Sequence, residues 1–211
     1  MVISNLADAA RANGDVGSLV QAHLAQYATY EDDAFAALNT AFAADGAFVH
    51  VPEDSSLKAP LHLIYVTTDG PQPTASYPRT LVVAERHSRL TVIESYVSLS
   101  SSQHFTNAVT EIVLDEGASV EHYRLLMDNP ESFHVGNTRV YQDKDSTFSS
   151  ASFARGAAVA RTDALSDLVR QRGREVAVVA VSRNEDAPLV GGRTPPIDEG
   201  RLTMSAPHPN L

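Results

Sequence analysis

The chain has no cysteine and no tryptophan. Without a thiol it can form no disulfide, carry no thiolate nucleophile, and supply no sulfur ligand to zinc or to an iron–sulfur cluster. No apolar run reaches the ~20 residues that a membrane-spanning helix needs. The first residues lack the basic stretch and apolar core of a secretory signal, so a soluble, cytoplasmic protein without a membrane partner is expected. Positive charge is also scarce. Sixteen Lys and Arg face 26 Asp and Glu, for a formal net charge of -10. Such a field repels a phosphate backbone, which argues against a nucleic-acid partner. Phosphate-binding and dinucleotide-binding glycine loops, the His-x-x-x-His spacing of helical zinc sites and a nucleophile elbow are all missing. Any ATP-driven step would fall to another protein.

What is present is an ordinary globular composition, 43% hydrophobic and 20% charged over 211 residues, enough for one domain with a real core. Residues 1–45 read as helical. Ser4 is placed to cap a short helix carrying Leu6, Ala9 and Ala10 and ending near Gly14. Leu19, Val20, His23, Leu24 and Tyr27 recur at helical spacing, as do Phe35, Leu38 and Phe42. The acids Glu31, Asp32 and Asp33 suit the positive end of that third helix. Tyr27, Phe35 and Phe42 are expected to pack down on the next domain.

From Gly46 onward the pattern becomes β. Runs rich in Val, Ile, Thr, Tyr and Phe occupy 47–51, 61–67, 80–84, 90–97, 109–114, 119–125, 134–141 and 147–153, with Gly, Pro, Asp, Asn or Ser between them. No long helix-period stretch intervenes, which argues against alternating strands and helices. Shifting the sequence by 28 residues aligns Ile64, Val92, Val120, Phe148 and Val176. The same shift aligns Ala84, Ile112, Val140 and Leu168, and also Val49, Tyr77, Phe105 and Phe133. Arg89, Gly117, Asp145 and Gly173 form a turn column, where Gly or Asp tolerates left-handed backbone. Repeats of this length that bury one strand face predict an all-β, right-handed parallel β-helix of about 28 residues per coil, stacked at ~4.8 Å. The expected organisation is therefore a helical segment at 1–45, a β-helix at 46–181 and an irregular tail at 182–211. That tail holds Gly191, Gly192 and scattered prolines and charges, so it reads as disordered or loosely attached.

Several stretches resemble the SufB/SufD core family of iron–sulfur cluster assembly proteins, and its SufD-like branch in particular. They are residues 37–42 (Ala-Leu-Asn-Thr-Ala-Phe) with 45–49, residues 91–97 (Thr-Val-Ile-Glu-Ser-Tyr-Val), residues 105–111 running on through Glu116, Gly117 and Glu121-His122-Tyr123, and residues 148–154 with Gly156 and Asp163. SufB-like sequences carry Glu-Gly-Cys where this chain has Glu94-Ser95-Tyr96, which favours the SufD-like branch. The similarity covers roughly residues 19–168. It implies a non-catalytic scaffold partnered by SufB-like and SufC-like subunits, with a homodimer as the other pairing. It implies too that an iron–sulfur cluster is met only in the assembled complex, with no cofactor held by this chain alone. The family's later β-helix and C-terminal helical domain have no counterpart after about Val181, so the chain reads as truncated, and no site residue of the family carries over.

No catalytic, cofactor-binding or metal residue is therefore assigned. His122 and His134 could approach each other across coils, but each is more simply a strand histidine. Asp115 with Glu116, and Asp143 with Asp145, sit in expected turns, where carboxylates are solvated. Ser100, Ser101, Ser102, Ser149 and Ser150 have no base beside them. A carbohydrate-binding or lyase-like β-helix is the alternative function.

Overall fold

The structure is a computed structural model that describes residues 1–168 and 176–182, apart from 32, 71 and 72. The chain opens with β1 (Val2–Asn5), α1 (Leu6–Arg11), α2 (Asp15–His23) and α3 (Ala34–Phe42). Then come β2 (Gly46–Val51), β3 (Leu61–Thr67), β4 (Thr74–Ser76), β5 (Arg79–Ala84), β6 (Arg89–Ser98) and β7 (His104–Leu114). The last are β8 (Ser119–Met127), β9 (Phe133–Gln142), β10 (Thr147–Arg155), β11 (Val159–Leu168) and β12 (Val176–Ser182).

These strands form two sheets, and the chain alternates between them. Sheet one has the order β1-β2-β5-β7-β9-β11, with the short β4 also on β7; sheet two has the order β12-β10-β8-β6-β3. All pairings are parallel except β1 on β2. Each coil thus lays one strand on each sheet, which is a β-solenoid. The eight expected strands are all present.

The coils are not of one length. Val120 pairs with Phe148, Phe148 with Val176, Ile112 with Val140 and Phe105 with Phe133, all 28 positions apart. Earlier coils are longer. Leu90, not Val92, stacks on Val120; Leu61, not Ile64, stacks on Val92; Ala84 pairs with Leu114; and Ala75, not Tyr77, pairs with Phe105. Toward the other end the coil shortens, and Leu168 meets Gln142 rather than Val140. Loop lengths and strand lengths together absorb these differences while the strands keep their alternation, so every coil still buries the same face.

The left-handed turn column also needs a correction at its first member. Asp54, His87, Gly117 and Asp145 have φ of +57°, +56°, +69° and +56°. His87, not Arg89, precedes Gly117 in the column, since its N–H donates to the Glu116 carbonyl as that of Gly117 does to Lys144. Gly173 lies outside the described residues.

Between the sheets, one end of the interior is apolar: Val49, Val82, Leu90, Val92, Ile112, Leu114, Val120, Val140 and Phe148 form a continuous buried cluster. Val92, Val120 and Phe148 belong to this one core although only two of them share a column. On the outer side of sheet one, Phe48, Leu81, Val83 and Val113 are covered by Leu6, Ala9 and Val20 of the helices.

The helical segment holds three helices, with one strand before them. Asn5, not Ser4, caps α1, accepting from the Asp8 N–H and bonding Asp45, while Ser4 lies within β1. Asp33 caps α3 through the N–H groups of Phe35 and Ala36; Asp32 is outside the described residues. Tyr27 packs against Tyr141 with ring centroids 5.1 Å apart. Phe42 does not pack down: it is 61% exposed and stacks on Tyr77.

Polar groups fix the helices to sheet one. Buried Glu111 of β7 accepts from the N–H groups of Ala25, Tyr27 and Ala28 and from the Arg79 guanidinium at 2.7 Å. Arg79 also donates to Asn39 and Thr40 of α3. Asn107 and Asn137 donate to Phe35 O and Asp33, and Arg139 pairs with Asp33 at 3.0 Å.

Candidate functional site

The strand alternation that points Leu90 and Val92 inward also points Glu94 and Tyr96 inward on β6, and His122, Arg124 and Leu126 on β8. Facing them on sheet one are Thr80, Thr110 and Thr138, paired side by side across β5, β7 and β9, and then the small Ala108 and Gly136. The result is a second half of the interior that is charged, directly continuous with the apolar half.

Glu94 is its centre. Fully buried, its carboxylate accepts from Thr80 Oγ1 at 2.7 Å, Thr110 Oγ1 at 3.0 Å, His122 Nε2 at 2.9 Å and Arg124 Nη2 at 3.2 Å. A carboxylate only accepts, so His122 carries its hydrogen on Nε2 and turns Nδ1 to the Ser150 hydroxyl at 3.1 Å. Burial alone would raise the Glu94 pKa, but the His122 hydrogen bond, the Arg124 charge and the Thr80 hydroxyl overcome it and hold the carboxyl far below its ordinary value. Tyr65 completes this end, its hydroxyl 2.6 Å from Thr80 Oγ1 and its ring stacked on Tyr96 at 4.8 Å. Burial and the nearby Glu94 charge push the Tyr65 phenol upward, so it stays protonated.

Arg124 reaches from sheet two across to sheet one. Only small residues accommodate it there: a Cβ on Gly136 would stand 2.6 Å from Arg124 Nη1. Beyond Gly136 lies a second buried cluster. His134 Nδ1 donates to Asp128 Oδ2 at 3.1 Å, the other Asp128 oxygen is 3.4 Å from His104 Nε2, and the His134 ring meets Tyr96 edge-on at 4.8 Å. Burial lowers the His134 pKa more than Asp128 raises it, so the ring is neutral near pH 7.

The residues considered from sequence are dispersed. His122 and His134 both face inward but belong to the two different clusters. Among the described residues no group of three His, Cys, Asp or Glu is arranged to hold a metal. Asp115, Glu116, Asp143 and Asp145 are in turns, with Glu116 paired to Lys144 at 3.2 Å. Burial pushes Asp115 up, with His23 opposing and Glu85 and Asp143 reinforcing. Ser100 and Ser102 hydrogen-bond Asp69 in a loop, and of Ser149 and Ser150 on β10 it is Ser150 that joins the interior network. Sequence reasoning misses Glu94 and Arg124 as interior residues. The signal that marks them is their parity with Leu90, Val92, Val120 and Leu126 on two strands.

The fold is a β-solenoid with a helical segment packed onto one sheet, and the interior pairs Glu94–Arg124 and Asp128–His134 brace its coils. Two family models divide the chain between them. The SufBD protein N-terminal region matches residues 1–63, and the SufBD core domain of SUF-system FeS cluster assembly matches residues 65–186. The chain belongs to the SufBD family. It is 36% identical over 138 residues to an iron–sulfur cluster assembly SufBD family protein of Synechocystis, covering 62% of this chain and 30% of that protein. It is 39% identical over 88 residues to the SufD protein of Escherichia coli, covering 42% of this chain and 21% of that protein. Against SufD of Bacillus subtilis it is 29% identical over 122 residues, covering 57% and 27%. The matched region thus spans less than a third of each of these relatives. No described helix is long and apolar enough to cross a membrane.

Proposed function

We propose that the chain is a non-catalytic scaffold subunit of iron–sulfur cluster assembly, working as SufD-like proteins do by pairing with a SufB-like subunit and, through the complex, with a SufC-like ATPase. The observation that carries this reading is the ordered match of both SufBD regions along one chain. The interior agrees with it: Glu94 pairs with His122 and Arg124, and Asp128 with His134, as a rigid scaffold needs. The iron–sulfur cluster is cargo of the assembled complex on this reading, and this chain holds none by itself. The family match speaks for cluster assembly and against the carbohydrate-directed alternative.

Co-expression of the tagged chain with its SufB-like and SufC-like subunits tests the proposal. A stoichiometric complex surviving purification is expected. Isolation of the folded chain free of both, under conditions in which a full-length SufD-like protein captures them, overturns it.

A further inference from the structure

Two buried polar side chains beside Gly136 present atoms without a partner inside the solenoid. Arg124 is fully buried, and its Nη1 and Nε make no hydrogen bond. His134 is fully buried, and its Nε2 makes none. Gly136 stands between them: the position a Cβ would take is 2.6 Å from Arg124 Nη1 and 3.6 Å from His134 Nε2. Orphaned polar atoms in an interior cost about 1–3 kcal/mol each, so they are rarely left so.

Their chemistry specifies the occupant. Arg124 Nη1 can only donate. His134 gives its hydrogen to Asp128 from Nδ1, which leaves Nε2 an acceptor. One group to donate and one to accept, both beside a glycine, suit a molecule that accepts once, donates once and is no larger than water. Charge excludes an anion. The carboxylates facing this spot, Glu94 from β6 and Asp128 from the loop after β8, already outnumber the Arg124 cation from β8. His104 from β7 faces it only across Asp128, and Tyr96 from β6 offers a ring edge.

We propose that the solenoid interior binds a single water molecule beside Gly136, donating to His134 Nε2 and accepting from Arg124 Nη1, and that this water joins the two buried clusters. The joined chain runs from Tyr65 through Thr80, Glu94 and Arg124 to the water, then through His134 and Asp128 to His104. His134 consequently senses the Glu94–Arg124 pair: a proton on Nε2 would turn that acceptor into a donor aimed at the guanidinium and expel the water.

The test uses the whole, unmutated chain labelled with 15N histidine. Magnetisation exchange between His134 Cε1–H and a long-lived water is expected, together with an Nε2 shift typical of a hydrogen-bonded lone pair; lowering the pH through the His134 titration should abolish both. Gly136→Ala should remove the water signal and shift the His134 titration. An unbonded Nε2 with no water contact in the unmutated chain overturns the proposal. So does a crystal grown in bromide that shows halide between Arg124 and His134.

Discussion

The two halves of the solenoid interior are built on the same strands and the same alternation, yet they hold together by opposite means. Around Val120 and Phe148, apolar side chains stack on their counterparts in the next coil, and any side chain of similar shape would serve. Around Glu94 and Arg124, the contacts are mostly between named donors and acceptors, and removing one leaves another stranded away from bulk solvent. The apolar half therefore supplies most of the driving force for stacking, and the charged half supplies register. A one-residue slip of β6 against β8 would turn Glu94 out to solvent and leave Arg124 alone inside.

Single substitutions should separate the halves, and the largest effects come first. Arg124→Met leaves Glu94 buried with its charge uncompensated and should cost about 3–5 kcal/mol in denaturant unfolding. Phe148→Ala creates a cavity and should cost a similar ~3–5 kcal/mol. The two losses differ in kind: Phe148→Leu recovers most of the second by refilling space, whereas Arg124→Lys recovers the first only through its charge, since Glu94 and Thr110 both take their bonds from the single nitrogen Nη2.

Acid should act on the charged half by two steps. His134 is held neutral by burial, so its pKa lies below 6.5 in the folded chain. As pH falls below that value the unfolded chain takes up the proton first, and stability declines until the folded-state pKa is passed. Glu94 has a depressed pKa, so the stability it contributes is complete above the unfolded value of about 4.5 and is lost as pH falls toward the folded one. Unfolding followed from ~pH 7 down to ~pH 5 should show a decline that His134→Gln reduces, the remainder belonging to His23, whose pKa burial also lowers; a decline unchanged by that substitution would reassign it. Smallest is Asp33→Ala at the α3 cap. It also removes the Asp33 contacts of Asn137 and Arg139, so it should cost about 2–3 kcal/mol and loosen α3 on sheet one without reaching either interior half.

The apolar half is largely legible in the sequence and the charged half is not. Short strands of Val, Ile and Thr announce themselves, and coils joined by short turns of constant length keep the spacing that aligns Val120 with Phe148. The long connection between β3 and β5, and the greater length of β6 and β7 than of β8 and β9, break that spacing. A fixed shift therefore sets Ile64 on Val92, where the sheet sets Leu61. Glu94, His122 and Arg124 look like surface residues by type; only their parity with Leu90 and Val120 marks them as internal, and their partners arrive from other coils. Ser4 and Asn5 are equally good caps by type, and the contact of Asn5 with distant Asp45 accompanies the choice. Phe42 reads as a buried helix residue by spacing, but α3 is anchored through Asn39 and Asp33, which leaves Phe42 facing out beside Tyr77.

A mutually dependent ion pair inside the stacked coils underlies all of these expectations. A double-mutant cycle on Glu94→Gln and Arg124→Met, read by denaturant unfolding, probes that dependence without intermediaries. The double variant should be more stable than the sum of the single losses allows, by about 0.5–3 kcal/mol, since neither charge is then left alone. Strict additivity, with both single losses within ~0.5 kcal/mol of zero as for surface positions, would be incompatible with a buried pair.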